Sequence, residues 1–540
     1  MTPNLEVNLE ALAISAPGLV KRICAPVNNQ HVIERAPKEL YYVLRGSEQP
    51  LLIPPLLLAV PTLRPNENAV LIVGVGAGEQ LRQCLNQLPK KITLTAWERD
   101  PWMLRVALDR NDFSEDIHTG RLSIRLGVDI LEELKPHENR KVVFHPLLRN
   151  YYPDHTHLVE SPRSNKTVLL RSGGLFVTDL AESFRERGYD VYPWDTDILD
   201  VDEIRLTLEI VKPTLIASIN YAEGLCELAE QTQTPFICWE IDPATTPPSP
   251  LSCSADFTSI FTYRKNNIEE FQSSGFQTPT FLPLGTNPNR RSPIQLTATQ
   301  LDHYRAPVSF VGTSMAEQAS LYRREFVLLA TQNNHDNAAK KLETMLSIAR
   351  EDFTTFNLPQ LLEQFFPGLK EATTEEVNID AIIGEITGAE KRFAYVAGLS
   401  EFSIQVWGDS SWRAAEHFGA RYRGPAGHFE ELTKIYCCST VNIDIGRIYQ
   451  SEIITMRVFD VLACGGFILT EETPDLATHF QIGRELETYR DLDELRRKTH
   501  HFLQHPDEAR EIGSRGRERV LKDHTISKRV ELMLNSLETP

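Results

Sequence analysis

The stretch YQSEIITMRVFDVLACGGFILTEE, residues 449–472, carries the most informative spacing of chemically useful side chains. Glu452 and Asp460 are eight positions apart, Arg457 lies between them, and Gly465–Gly466 follow. If a helix of about 3.6 residues per turn begins near Glu452, the two carboxylates face nearly the same direction. Acceptors near the positive end of a helix can hold sugar and ribose hydroxyls beside a diphosphate. The alternative is a surface ion pair between Arg457 and Asp460, with Glu452 an ordinary acid at the helix start.

Three arginines are candidates for binding a diphosphate at such a site. Arg457 is the main candidate, and Arg323 and Arg324 are secondary ones, although each can equally be a surface arginine. Gly312 ends the apolar run VSFV, where a glycine turn after a strand lets the backbone approach a ligand.

A second glycine-rich turn lies near the N-terminus of the chain. Gly74, Gly76 and Gly78 follow the apolar run AVLIV, Glu98 ends the next apolar run, and Asp129 follows a third. This is the layout of an S-adenosylmethionine-type Rossmann domain, in which the acid accepts hydrogen bonds from a ribose. The alternative is that the glycines only permit tight packing between strand and helix.

The whole chain falls into units in which a strand precedes a helix, which predicts an α/β fold with parallel sheets. We predict three Rossmann-like domains, at 1–155, 163–305 and 306–540, the last with a helical insertion at about 318–398 and a helical C-terminal tail. The polar segment 151–166 contains two prolines and is interpreted as a linker.

Composition excludes several classes of protein. The 540 residues carry a formal charge of -18, which disfavours nucleic acid and anionic membranes as partners. The N-terminus lacks the features of a signal peptide, and the apolar run at 51–60 is broken by two prolines and too short to span a bilayer. Eight scattered cysteines without a CxxC pair indicate reduced thiols and no zinc site. We therefore expect a cytoplasmic protein without a transmembrane segment.

The C-terminal two thirds of the chain contains a series of short motifs. Their order indicates a protein family more specifically than any single motif does. In chain order they are VSFVGTS (308–314), VWGDSSW (406–412), Tyr436, VNIDIGR (441–447), MRVFDVLACGGFILTEE (456–472), FQIGRELETYRDLDEL (480–495) and GSRGRERVLKDHTISKR (513–529). With these motifs, residues from about 165 to 530 resemble CgeB-type (spore-maturation) glycosyltransferases, which have the GT-B fold.

The resemblance implies that the last two domains form a GT-B glycosyltransferase, a hexosyl- or related transferase. In related enzymes a Glu, seven residues, Glu motif contacts the donor sugar with its first acid and the nucleotide ribose with its second. Glu452 would then bind the sugar and Asp460 the ribose, although Asp is one methylene shorter than the usual Glu. Gly312 and Gly465–Gly466 would let the backbone approach a UDP- or GDP-linked donor, and no metal would be required.

The middle domain would supply the remaining groups. Gly173 and Gly174 end its first strand and can approach a sugar or phosphate, although an ordinary turn is the simpler alternative. A transfer that inverts the reacting carbon needs a general base, for which Asp179 and Asp242 are the candidates, with Glu240 beside them. A retaining transfer does not need that base, so both stereochemical outcomes stay open.

The N-terminal domain resembles a different group. The runs LIVGVGAGEQL, WERDP and HPLLRNYYP, within 69–155, resemble the Rossmann domain that begins Maf-type motility accessory factors, which are flagellin glycosyltransferases. This resemblance implies a protein or cell-surface acceptor, such as flagellin or a surface polysaccharide. Two alternative functions remain: an S-adenosylmethionine-dependent methyltransferase or nucleotide-binding regulator centred on the N-terminal domain, and a non-catalytic binding protein with a GT-B shell.

Overall fold

The computed structural model describes most of the chain. The described residues are 2–25, 32–36, 39–42, 51–53, 60–134, 139–146, 148–161, 163–197, 199–242, 248–372 and 378–538. They form two compact units, Met1–Ile219 with Leu228–Cys238, and Asn220–Glu227 with Trp239–Pro540. The expected division into three domains stays a prediction, and most of the apolar run at 51–60 lies outside the described residues.

The helices and strands up to residue 240 follow the predicted pattern from residue 69 onward, where each strand precedes a helix. They are α1 (Pro3–Ser15), α2 (Pro17–Cys24), β1 (Val32–Ala36), β2 (Glu39–Tyr42), β3 (Leu51–Ile53), β4 (Ala69–Val73), α3 (Glu79–Gln87), β5 (Thr93–Glu98), α4 (Pro101–Arg110), α5 (Ser114–His118), β6 (Leu122–Leu126), a 3₁₀ helix (Gly127–Leu134), β7 (Arg140–Phe144), α6 (Leu148–Tyr151), α7 (Pro153–Glu160), β8 (Thr167–Arg171), α8 (Val177–Glu186), β9 (Asp190–Trp194), α9 (Val201–Val211), β10 (Leu215–Ile219), α10 (Leu225–Thr232) and β11 (Phe236–Glu240).

The first unit is built on parallel strands. β4 is central in a sheet of order β6-β5-β4-β7, and its four last residues are completely enclosed, as expected of an apolar strand covered on both faces. A second group of strands follows the order β11-β10-β8-β9, with β8 parallel to both of its neighbours. β1, β2 and β3 form a small antiparallel sheet.

The elements after residue 240 belong to the second unit. They are β12 (Thr258–Thr262), α11 (Asn267–Ser273), β13 (Thr280–Phe281), α12 (Ala298–Tyr304), β14 (Ala306–Val311), α13 (Ala316–Gln332), α14 (Ala338–Ala349), α15 (Leu358–Phe365), α16 (Leu369–Ala372), α17 (Ile379–Gly398), β15 (Gln405–Trp407), β16 (Arg421–Tyr422), α18 (Glu431–Cys438), β17 (Ser439–Ile443), α19 (Met456–Ala463), β18 (Ile468–Glu471), α20 (Leu476–His479), β19 (Glu487–Tyr489), α21 (Leu492–Gln504), α22 (Pro506–Asp523) and α23 (Ile526–Glu538), with short 3₁₀ helices at Ser400–Phe402, Ser410–Phe418 and Ile448–Gln450.

The main sheet of the second unit is six-stranded and parallel, in the order β16-β15-β14-β17-β18-β19. Its order changes direction between β14 and β17, and ligands in open parallel sheets bind beyond the carboxyl ends of strands at such a point. The polar stretch after β14 is helical (α13 to α17), and the chain ends in three helices. The α/β class with parallel sheets and a helical tail is therefore confirmed.

Two expectations from the sequence need correction. The segment 151–166 is not an extended linker, because Pro153 starts helix α7, as proline at a first helical position can. The helix expected near Glu452 begins only at Met456, because Thr455 keeps the extended backbone of an N-cap residue. No helix among the described residues is long and apolar enough to cross a membrane, and all eight cysteines are free.

Helix α22 packs closely because two of its residues are glycines. A Cβ atom at Gly516 would overlap the carbonyl oxygen of Glu485 and lie 2.6 Å from Leu462 Cδ2. We expect Gly516→Ala to lower the free energy of unfolding by about 1–3 kcal/mol, although alanine alone favours a helix. Chemical denaturation measures the change, and the exposed Ser514→Ala in the same helix is the control. A Gly516→Ala protein as stable as Ser514→Ala would contradict this packing.

Candidate active site

An open cleft of about 960 Å³ lies in the second unit, at the carboxyl end of its parallel sheet. Val311 and Gly312 line it after β14, Gly446 and Arg447 after β17, and Thr455, Met456 and Arg457 at the start of α19. Ile241 and Asp242, which follow β11, line it too, together with Tyr263, Leu284, Arg392, Leu432, Tyr436, Gln450 and Ile453. The cleft therefore lies where the sheet order predicts a ligand.

The loop after β14 is held by a carboxylate from the loop after β15. Asp409 accepts hydrogen bonds from the backbone N–H of Ser314 at 2.5 Å and from the hydroxyls of Ser314 and Thr313 at 2.7 and 2.9 Å. Trp412 Nε1 donates to the carbonyl oxygen of Gly312 at 2.8 Å. A Cβ atom at Gly312 would lie 2.8 Å from Arg457 Nη2, so only glycine lets that guanidinium cross the loop. The motifs VGTS and VWGDSSW thus build one wall of the cleft.

The N-terminus of α19 forms a second wall. Thr455 is the N-cap residue; its side chain makes no capping hydrogen bond, and its hydroxyl donates to Asp444 Oδ2 at 3.0 Å. Arg457 ion-pairs with Asp444 and donates through Nε to the carbonyl oxygen of Val311 at 2.8 Å. The start of the helix therefore presents first-turn N–H groups and a fixed guanidinium at the cleft.

Arg392, on α17, is the most unusual side chain in the cleft. It is only 7% exposed, and its Nη1 donates to the carbonyl oxygen of Thr313 at 2.7 Å, while its buried Nε lacks a hydrogen-bond partner. Among the described residues no carboxylate forms an ion pair with it. Burial, followed by the charges of Arg457 and Arg447, lowers the pKa of Arg392 to about 9. A buried cation without a counter-charge is costly, and an anion in the cleft would compensate it.

Two further charged side chains, one basic and one acidic, line the cleft. Arg447 lies 3.2 Å from Glu385 and adds a third guanidinium. Asp242 is exposed at the cleft, and its Oδ2 accepts a hydrogen bond from Asn220 Nδ2 at 2.7 Å. Asn220 Oδ1 in turn accepts from the backbone N–H of Ile241 at 2.9 Å. The Asn220 side chain therefore links the Asp242 carboxylate to the backbone just after β11.

Several residues chosen from the sequence are engaged within the second unit. Asp460 is buried, accepting from Arg291 Nε at 2.9 Å and from the Thr286 hydroxyl at 2.6 Å. Glu452 lies in a turn before α19, and its Oε1 accepts from Arg264 Nε at 2.8 Å. Arg457 and Asp460 therefore do not pair with each other as a surface ion pair, the alternative left open by their spacing.

The paired glycines after α19 serve packing. A Cβ atom at Gly466 would lie 2.8 Å from the carbonyl oxygen of Tyr436, and one at Gly513 would lie 2.8 Å from the carbonyl oxygen of Gly466. Gly465 has a positive φ of 75° and ends the helix in the manner usual for glycine. Contact of Gly465 and Gly466 with a donor stays a prediction.

The remaining candidates are divided between the two units. Gly173 and Gly174 follow β8 with φ of 88° and 105°, and Asp179 is buried in the first turn of α8. Arg323, the secondary phosphate candidate, ion-pairs with Glu343 and Glu390 in the helical insertion of the second unit.

The glycine-rich turn of the first unit is filled by the chain itself. A Cβ atom at Gly76 would lie 2.9 Å from His145 Nε2, one at Gly74 3.0 Å from Leu148 Cβ, and one at Gly78 2.7 Å from Asn111 Nδ2. These contacts leave the turn covered by side chains of later segments.

The acids of that turn are also occupied. Glu98 is fully buried and accepts from the Tyr152 hydroxyl at 2.6 Å and from the backbone N–H of Val75 at 2.8 Å. Burial, as the largest cause, raises the pKa of Glu98. Asp129 accepts two hydrogen bonds from Arg22 Nη1, at 2.7 and 2.9 Å. A ribose at Glu98 would have to displace Tyr152.

The structure thus brings together Gly312, Arg457 and Asp242 among the residues chosen from the sequence. It adds Arg392 and Arg447, which spacing did not single out. Arg447 ends the motif VNIDIGR, and Arg392 follows Glu390 and Lys391 in a helical run that also contains other acids. Because charged residues of both signs are frequent in that run, the sequence offers no clear signal for Arg392.

Comparisons with known proteins find one family match, in the C-terminal part of the chain. Residues 391–535 match the model of a family described as glycosyl transferase-like. No curated protein sequence matches the chain significantly.

Similar solved structures include a sucrose-phosphate synthase from Thermosynechococcus elongatus, at 11% identity over 69% of this chain and 99% of that one, with a TM-score of 0.44. A glycosyltransferase from Rickettsia africae ESF-5 gives 11% identity over 70% and 100%, with a TM-score of 0.44. The Anabaena protein HepE, in complex with UDP and glucose, gives 9% identity over 70% and 100%, with a TM-score of 0.42. At these values the structures assign neither substrate nor activity to this chain.

The buried pair of Asp460 and Arg291 yields a stability prediction. Asp460→Ala leaves Arg291 buried without its counter-charge, so we expect the free energy of unfolding to fall by about 3–5 kcal/mol. Denaturant titration measures the loss, with the exposed Asp507→Ala as control. If Asp460→Ala unfolds at the denaturant concentration of the control, the pair does not contribute as described.

Proposed function

We propose that the protein is a glycosyltransferase of the GT-B type that uses a nucleotide sugar, UDP- or GDP-linked, as donor. The observation that carries this proposal is the buried, uncompensated Arg392 in a cleft shared with Arg457, Gly312 and Asp242. The family match over residues 391–535 supports it, since that range contains both arginines.

The positive wall suits a diphosphate better than other anions. Arg392 and Arg457 lie over the same ring, with guanidinium carbons 5.9 and 4.9 Å from the centroid of Phe310, so two cations share one small region. Uncapped N–H groups of α19 and the loop at Gly312 lie beside them. Glycosyl transfer develops negative charge on the departing diphosphate, and preorganised donors of this kind stabilise it.

The sugar and ribose contacts are proposed from the sequence motif. Glu452 and Asp460, the acids that the sequence motif suggests for sugar and ribose, already accept from Arg264 and Arg291. Donor binding through either acid would require it to share or exchange that partner. Gly173, Gly174, Gly465 and Gly466 are retained as proposed points of close approach to the donor.

Asp242 is the proposed general base for an inverting transfer. It is the acid on the cleft wall that the sequence also selected, and its exposure leaves it accessible to an acceptor hydroxyl. A base takes the hydroxyl proton as the oxygen attacks the anomeric carbon, while the nucleoside diphosphate leaves. Asp179 stays the alternative base.

Metal independence and the acceptor complete the proposal. Arg392, which forms no ion pair among the described residues, and the N–H groups at the start of α19 are the groups that would stabilise a diphosphate in place of a metal ion, so we propose metal-free transfer by a cytoplasmic enzyme. The acceptor is proposed to be a protein or a cell-surface glycan, flagellin or a surface polysaccharide among them, on the resemblance of the N-terminal domain.

The alternatives fit less well. An S-adenosylmethionine-dependent methyltransferase would use the turn at Gly76 and the acid Glu98, which His145 and Tyr152 cover. A non-catalytic protein with a GT-B shell would not need Asp242 held at the cleft. The Asp242 variant described below separates that alternative from an enzyme.

Arg392→Met tests the donor site. Loss of charge-assisted hydrogen bonds to phosphate, each worth about 1.5–3 kcal/mol, should weaken binding of UDP or GDP by about 10–100-fold. Because the arginine is uncompensated in the free protein, thermal stability should not fall. Calorimetric titration measures affinity. Arg324→Met is the control, because Arg324, a phosphate candidate from the sequence, is exposed and is not among the residues that line the cleft. Unchanged affinity in Arg392→Met would remove the main support for the proposal.

Asp242→Asn tests the base. We expect kcat for sugar transfer to fall by about 10²–10⁴-fold, since a general base contributes that much, while the donor Kd stays nearly constant. The exposed Asp256→Asn is the matched control, and an assay with a chelator present examines metal independence. Full activity in Asp242→Asn would exclude the assigned base, and loss of activity with the chelator would exclude metal-free transfer.

A further inference from the structure

Two of the free thiols of the second unit lie in contact with each other. Cys226 lies near the start of α10 and Cys253 in the loop before β12. Their Sγ atoms are 3.1 Å apart, and the Cys253 thiol donates a hydrogen bond to the Cys226 sulfur. A disulfide bond is about 2.0 Å long, so a movement of about 1 Å brings the two sulfurs to bonding distance.

Hydrogen bonds on both sides of Cys253 hold its loop in place. Glu227 Oε1 accepts from the backbone N–H and the hydroxyl of Ser252 at 3.2 and 2.9 Å, so the chain neighbours of the two cysteines are joined as well. Gln277 Nε2 donates to the carbonyl oxygen of Ser254 at 2.8 Å. The surroundings therefore keep the two sulfurs together, and a bond between them requires only local movement.

The two thiols differ in their exposure to solvent. Cys226 is fully buried, and burial raises the pKa of its thiol, whereas Cys253 is partly exposed. The Thr258 hydroxyl donates to the Cys226 sulfur at 3.2 Å, a contact that favours the Cys226 thiolate once it forms. A thiolate attacks only a reagent that it can reach. Cys253 is therefore the thiol that reacts first with a molecule from solvent, and Cys226 is placed to react second.

We propose that Cys226 and Cys253 form a reversible disulfide by exchange with a small organic disulfide. In the first step the Cys253 thiolate attacks one sulfur of the reagent, a mixed disulfide forms, and one small thiol leaves. In the second step the Cys226 thiolate attacks the Cys253 sulfur and displaces the second small thiol. The two protein thiols are oxidised, the reagent is reduced to two thiols, and the two thiol protons of the protein end on the leaving sulfurs.

The bond would link α10 to the loop before β12 and close a segment of the chain that includes β11. A cross-link of this kind stabilises a protein chiefly by restricting its unfolded chain. In a reducing compartment the thiols stay free, and they become linked when small disulfides accumulate. Neither cysteine lines the cleft that contains Arg392, so the pair is a redox-responsive lock that is independent of the function proposed for that cleft.

Peptide mapping by mass spectrometry tests the proposal on the full chain after incubation with 2-hydroxyethyl disulfide, a neutral reagent. We expect a pair of peptides linked through Cys226 and Cys253, and recovery of both thiols with dithiothreitol. No linked peptides at a reagent concentration that modifies the exposed Cys24 would overturn the proposal. Linkage of other cysteines while Cys226 and Cys253 stay reduced would overturn it too.

The melting temperature tests the lock. The linked protein should melt roughly 2–8 °C above the reduced one, because the closed segment loses freedom in the unfolded chain. Cys24→Ser, which removes an exposed thiol outside the pair, is the control and should show the same rise. A linked protein that melts at the temperature of the reduced protein would contradict the lock.

Two single variants test the order of the steps. In Cys226→Ser the reagent should remain on Cys253 as a mixed disulfide, because the thiol that reacts second is missing. In Cys253→Ser the buried Cys226 should stay a free thiol under the same conditions. Modification of Cys226 in Cys253→Ser as fast as that of Cys253 in Cys226→Ser would contradict the assigned order.

Discussion

The carboxylate of Asp444, buried at the carboxyl end of β17, is the interaction on which the cleft depends. Its Oδ2 accepts from the hydroxyls of Thr455 and Thr470 at 3.0 and 2.9 Å, and its Oδ1 pairs with Arg457. Its own backbone is held as well, since the Tyr489 hydroxyl donates to its carbonyl oxygen at 2.5 Å. One buried acid thereby binds the N-cap residue of α19 and holds a guanidinium across the glycine loop.

Arg392 has no such acid. Asp444 already binds Arg457 and two hydroxyls, and the hydrogen bond that Arg392 makes goes to the backbone carbonyl of Thr313. The first unit shows the opposite outcome on a similar glycine-rich turn, where His145, Leu148 and Tyr152 occupy the space and the acid. Among the described residues, the strand–turn–helix unit that begins at β14 therefore lies beside an open cationic cleft, whereas the turn of the unit that begins at β4 is filled.

The sequence predicted the parallel strands and their glycine turns well, because buried runs such as Val70 to Val73 follow local rules. Gly312, Arg457 and Asp242, which were selected from the sequence, line one cleft in the structure, and their functional roles stay predictions. The sequence missed the partners of Asp460 and Glu452, since Arg291 and Arg264 are more than 160 positions away in the chain. It also missed Arg392. Whether a buried arginine has a counter-charge depends on three-dimensional packing, which the spacing of residues along the sequence does not show.

The central claim is that a diphosphate completes the charge of the cleft, and one calorimetric series tests it most directly. UDP and GDP are compared with uridine and guanosine, each titrated into the full chain at low and high salt. Two or more charge-assisted hydrogen bonds predict that a diphosphate binds at least about 100-fold more tightly than its nucleoside, with the difference shrinking as salt rises. Equal affinities for nucleoside and nucleoside diphosphate, unchanged by salt, would contradict the assignment of Arg392 and Arg457 to phosphate.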